Sequence, residues 1–131
     1  MAELFSEEWM QGFAARWNAE PELSDALAQI GFNSVIGFGF DDDEKPRGVL
    51  VIENGKAVSG EAYNDQTLNW DIRASYDQWQ KWIAKPPGMM GLGMAFTSRK
   101  LKFVVGDYSS MIKDPRMAGP FIKSFAVMGQ V

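Results

Sequence analysis

Residues 48–63 read GVLVIENGKAVSGEAY. Gly48–Glu53 is an almost wholly apolar run, Asn54-Gly55 is the dipeptide that a two-residue hairpin loop prefers, and Lys56–Tyr63 resumes an extended pattern. Both central residues of such a loop need positive φ, which glycine and asparagine adopt most readily. Two antiparallel strands are therefore expected here. Upstream, Ile36, Phe38 and Phe40 alternate with Val35, Gly37 and Gly39, the pattern of a strand with one crowded face and one bare one. Asp41-Asp42-Asp43-Glu44-Lys45-Pro46 reads as the solvated turn between them. Downstream, Gln66–Arg73 carries Leu68, Trp70 and Ile72 on one face. Strands in succession with tight turns predict an antiparallel meander.

Helices are expected on either side. Ser6 is placed to cap a helix with Glu7 and Glu8 in its first turn, and Trp9, Phe13 and Trp17 form its apolar stripe. A second helix with Leu23, Leu27 and Ile30 ends at Gly31. Ser75, with Gln78 three residues on, opens a third that Pro86-Pro87 stops. The Gly/Met-rich segment that follows reads as irregular. Lys100–Gly106 predicts a fifth strand with Leu101, Phe103 and Val105 on one face, and Asp107 caps a short turn holding Met111 and Ile112. Pro120, after Gly119, is expected to open a last helix whose stripe is Phe121, Ile122, Phe125 and Met128.

The chain has 131 residues, 46% of them hydrophobic and 23% charged, which suits one α/β domain (α+β in arrangement) spanning 1–131. It has no cysteine and no histidine, which removes disulfides, thiolate chemistry, the commonest metal ligand and the commonest general base. Ser109-Ser110 thus has no histidine for a triad. Asp41–Glu44 lacks the spacing of a calcium loop, and Gly37-Phe38-Gly39 and Gly91-Leu92-Gly93 do not complete a phosphate loop. No run reaches the length of a membrane span. The acidic start MAELFSEEW lacks the features of a signal peptide, so a cytoplasmic location is expected. A net charge of −4 and a pI of about 4.8 argue against nucleic acid as a partner.

That charge is unevenly spread. Residues 1–77 hold fifteen acids against five bases, whereas 78–106 hold five bases and no acid. The same window carries Trp79, Trp82, Met89, Met90, Met94, Phe96 and Phe103 among glycines. Pliable apolar side chains edged by cations suit a lipophilic molecule with an anionic head.

The order of elements resembles the sterol carrier protein 2 (SCP-2) family. So do several strings: Asn54-Gly55, Trp70-Asp71-Ile72 before the Ser75–Trp82 helix, Gly88, Ala95-Phe96, and Leu101-Lys102-Phe103-Val104-Val105-Gly106-Asp107. The resemblance runs from about Glu8 to Met128. It implies a five-stranded, mainly antiparallel sheet covered on one side by helices, with an apolar tunnel between the layers. It also implies non-catalytic binding or carriage of a fatty acid, acyl-CoA, sterol or similar lipophile, with no metal or cofactor. An alternative is a scaffold module that presents a lipophilic intermediate to a partner enzyme. The residues expected to face the ligand are Trp79, Trp82, Ile83, Met89, Met90, Met94, Phe96, Phe103, Val105, Met111, Phe121, Phe125 and Met128. Lys81, Lys85, Arg99, Lys100 and Lys102 would form a head-group rim, and the Phe121–Met128 stripe would cover one end of the cavity. The sequence departs from the family where Arg99 stands in place of a usual glycine, and its end, Met128-Gly129-Gln130-Val131, is no peroxisomal address.

Overall fold

In the computed structural model, which describes residues 3–131, the hairpin joins β2 (Gly48–Glu53) to β3 (Lys56–Ala62). Its turn has φ of 51° at Asn54 and 81° at Gly55, as a two-residue loop requires. The remaining elements are α1 (Glu7–Asn18), α2 (Pro21–Ala28), β1 (Ser34–Phe40), β4 (Trp70–Ala74), α3 (Tyr76–Ala84), α4 (Met89–Thr97), β5 (Lys102–Val105), α5 (Tyr108–Lys113) and α6 (Pro115–Met128). The strands form one five-stranded sheet in the order β3-β2-β1-β4-β5.

The expected meander holds only for the first three strands. β4 lies beside β1 and runs parallel to it, with Ile36 opposite Trp70 and Phe38 opposite Ile72. The other three pairings are antiparallel, so the sheet is mainly antiparallel. Residue alternation tells which face a side chain takes and says nothing of strand direction. The bare face of β1 shows how the chain returns: a Cβ at Gly37 would stand 2.8 Å from Leu68 and 3.4 Å from Pro46. Leu68 therefore covers the back of β1 instead of sharing a face with Trp70 and Ile72, and β4 begins two residues after it.

The back of the sheet also holds a buried ion pair. Arg73 donates from Nε to Asp71 Oδ1 at 2.6 Å and from Nη2 to Asp71 Oδ2 at 3.0 Å. Its Nη1 reaches the carbonyls of Phe40 and Asp43, so one guanidinium ties β4 to the acidic turn after β1.

On the front, α1 buries Trp9, Met10, Phe13 and Trp17. It crosses β3 so closely that a Cβ at Gly60 would collide with the backbone of Met10. Ser6 and Ser75 cap α1 and α3 as expected, accepting from the amides of Trp9 and Gln78. Phe5, fully buried, lies 5.0–5.7 Å from the rings of Trp9, Phe38, Phe40 and Trp79. The indole Trp79 Nε1 donates to Gly39 O at 2.9 Å, and Trp17 Nε1 donates to Gly55 O at 3.0 Å. Both rings are thereby fixed against the sheet.

Two expectations fail in the C-terminal half. Met89–Thr97 is a helix: Leu92 and Ala95, one turn apart, bury themselves in the core and outweigh the cost of two internal glycines. The last helix starts at Pro115, not Pro120, because Asp114 caps it by accepting from Arg116 N. Pro120 sits inside it.

Arg99 adopts a left-handed φ of 65°, so the backbone keeps a geometry that glycine would favour. Arg99→Gly is expected to raise stability by about 0.5–1 kcal/mol through relief of that conformation. A higher denaturant midpoint with an unchanged m-value would show it.

Candidate functional site

β1 and β4, the parallel central pair, form the floor of an apolar cavity of about 50 Å³ between sheet and helices. Ile36 and Phe38 come from β1, and Trp70 and Ile72 from β4. Strand alternation turns all four to the helical layer, opposite the face that carries Asp71 and Arg73. The roof is Trp17 of α1, Leu27 of α2, Met111 of α5, and Met117, Pro120, Phe121 and Ser124 of α6, with Phe32 closing one side. Trp17 holds its place through its bond to the Asn54-Gly55 turn, so the hairpin itself positions a cavity wall. Ser124 is the one polar liner, and its hydroxyl is already used, donating to the Phe121 carbonyl one turn back.

An outer cleft of about 450 Å³ adjoins the cavity. Phe32, Trp70, Met111 and Met117 line both spaces and form the wall between them. The outer side of the cleft is polar: Asn33, Ser34 and Asn69 along the sheet end, Asp107, Ser110 and Asp114 along α5. Ser34 is 5% exposed and shares the face of Ile36 and Phe38, yet its Oγ has no hydrogen-bond partner among the described residues. Unpaired buried hydroxyls are uncommon, because desolvation without a partner is costly. The Ser110 hydroxyl and amide hold Asp107 below the usual carboxylate range, and Arg116 does the same for Asp114. Both are ionised at neutral pH, and among the described residues no lysine or arginine lines the cleft or the cavity.

A larger cleft of about 870 Å³ lies beside Trp9, Phe40 and Tyr76, but Glu3, Asp42, Asp43 and Arg47 give it a charged wall suited to water. The inner cavity is the better match to a lipophile because its lining is apolar.

Of the thirteen residues expected at a ligand, Met111 and Phe121 line this cavity. Phe103 packs behind its wall, with ring centroids 5.8 Å from Trp70 and 6.0 Å from Phe121. Trp79, Trp82, Phe125 and Met128 are buried core, and Ile83 and Met128 border the charged cleft. Phe96 rests on Tyr108 at 4.3 Å, and Val105 is at the surface. Met89, Met90 and Met94 are 52%, 83% and 70% exposed and line neither the cavity nor the outer cleft. Lys81, Lys85, Arg99 and Lys100 are exposed without an ion pair among the described residues, and Lys102 stands 3.9 Å from Asp41. The cavity residues that the sequence reading passed over include Ile36, Phe38, Trp70 and Ile72. Their alternation marks them as a core face, and a gap in a core looks the same in sequence as a filled one.

No family model and no curated protein matches the sequence. Solved structures do. A sterol carrier protein 2 crystal structure superposes with a TM-score of 0.77 at 18% identity, covering 98% of this chain and 99% of that one. A conserved hypothetical protein from Thermus thermophilus gives 0.68 at 16% identity, covering 98% and 89%. A ubiquinone synthesis protein, UbiJ-SCP2, gives 0.55 at 13% identity, covering 95% and 88%. The five-stranded α+β fold expected from the sequence is thus the one these proteins share; the expected tunnel is not shown, and the apolar space between the layers is the 50 Å³ cavity.

Proposed function

We propose that this chain, which has the sterol carrier protein 2 fold, binds and carries an uncharged lipophile without converting it. The observation that carries this reading is the cavity, eleven of whose twelve lining side chains are apolar. Each methylene buried there contributes about 0.8 kcal/mol before the cost of association is subtracted. At 50 Å³ the cavity holds only the tip of a lipid, since pockets for drug-sized ligands run to about 300–1,000 Å³. The ligand therefore extends through the wall into the outer cleft. Met111 and Met117 stand in that wall, and unbranched thioether side chains repack at little cost.

The head group follows from the mouth. Two ionised carboxylates at the mouth, with the nearby Arg116 already paired to Asp114, disfavour a fatty acid or acyl-CoA there, whereas the Ser34 hydroxyl, without a partner among the described residues, suits an alcohol or carbonyl. Sterol-like and quinone-like molecules meet both conditions, and the fold likeness to a ubiquinone synthesis protein supports including quinones among the ligands tested.

Displacement of a fluorescent sterol by unlabelled sterols, quinones and fatty acids tests this. Saturable micromolar binding is expected for the neutral compounds and weaker binding for the acids. No saturable binding of any of them would end the carrier reading, and a preference for acids would overturn the assignment of the mouth.

A further inference from the structure

Beyond the cavity, α4 has a composition that its position does not explain. Its sequence, Met89-Met90-Gly91-Leu92-Gly93-Met94-Ala95-Phe96-Thr97, contains no charged residue. A helix apolar all round is ordinarily buried all round. Here only the inner side is buried, through Leu92 and Ala95, while Met90, Met94 and Thr97 form an outward stripe at helical spacing. Gly93 lies between the two methionines and leaves a shallow groove there.

Cations bracket this stripe. Lys85 precedes the helix and Arg99 and Lys100 follow it, all exposed and none in an ion pair among the described residues. No acid occurs from Gln78 to Gly106, although acids outnumber bases in the chain as a whole, 17 to 13. Arg99 also keeps its cation in a left-handed backbone position where glycine would be less strained.

We propose that this face docks the protein on an anionic membrane surface. The methionines, long and unbranched, enter the boundary between head groups and acyl chains, and Lys85, Arg99 and Lys100 meet lipid phosphates around them. A nine-residue helix lies in the interface and does not cross it. The acidic remainder of the molecule turns the basic face toward the membrane, and at physiological salt, carboxylates more than about 8 Å away are largely screened.

Sedimentation of the delipidated protein with phosphatidylcholine vesicles, with and without phosphatidylglycerol, tests the proposal. Partition onto the anionic vesicles is expected, falling as salt rises. The triple variant Lys85→Glu/Arg99→Glu/Lys100→Glu should lose roughly a hundredfold in partition, about fivefold or more for each cation. Met90→Asp/Met94→Asp should lose at least tenfold, with an unchanged thermal melt because both side chains are exposed. Equal partition on neutral and anionic vesicles, or variants that bind like the wild type, would overturn the proposal. So would a protein that ignores vesicles but self-associates until Met94 is replaced, which would make the face a protein interface. Ile36→Trp, which fills the cavity, should leave vesicle partition unchanged, so failure of the carrier reading and failure of this one are separable.

Discussion

Asp71→Ala is expected to destabilise the protein by about 3–5 kcal/mol, the largest loss from any single polar replacement. The variant leaves the Arg73 guanidinium buried behind the sheet with two backbone carbonyls and no counter-charge. At this chain length the melting temperature should fall by about ten degrees or more. Asp71→Leu combined with Arg73→Met should recover most of the loss, because a buried pair costs nearly as much desolvation as its attraction returns. Chemical denaturation of the two variants side by side checks it. If Asp71→Ala melts within a degree or two of the wild type, the pair is not the fastener between β4 and the acidic turn.

Filling the cavity should produce the largest change in binding. Ile36 stands on the cavity floor, and an indole in its place occupies the space where the lipid's tip would lie. Losing three or four buried methylenes at about 0.8 kcal/mol each corresponds to roughly a hundredfold weaker binding. Stability should fall by about 1–3 kcal/mol, as is typical of overpacking, and Ile36→Phe offers a milder version. Affinity measured against a neutral lipophile, alongside a thermal melt, reads both. Unchanged affinity in a folded Ile36→Trp protein would place the lipid elsewhere.

Local signals in the sequence carried the fold a long way. Asn54-Gly55, Ser6 and Ser75 each specify a geometry through their own backbone or side chain, and each was found where expected. What the sequence did not disclose depends on distant partners. The parallel neighbour of β1 lies 34 positions on, from Ile36 to Trp70, and residue alternation is blind to it. α4 was hidden because Gly91 and Gly93 argue against a helix, and only the burial of Leu92 and Ala95 reverses that. The start of α6 was legible in Asp114-Pro115, a cap followed by a proline at the first helical position, but the nearby Gly119-Pro120 offered a competing start. At the site, the methionines and cations of residues 78–106 were expected around the ligand. Met89, Met90, Met94 and the cations instead lie on the outer surface, while the cavity takes its floor from strands whose pattern reads as ordinary core.

The parallel pairing of β1 with β4 has a consequence for how the molecule comes into being. The hairpins of β1, β2 and β3 close through short loops and can assemble early, whereas joining β4 to β1 requires closing a much longer one. That late joint carries Ile36, Phe38, Trp70 and Ile72, so the cavity floor is complete only once β4 has joined β1. A ligand bound as proposed would meet the complete cavity only after α6 has emerged, and would stabilise the finished fold alone.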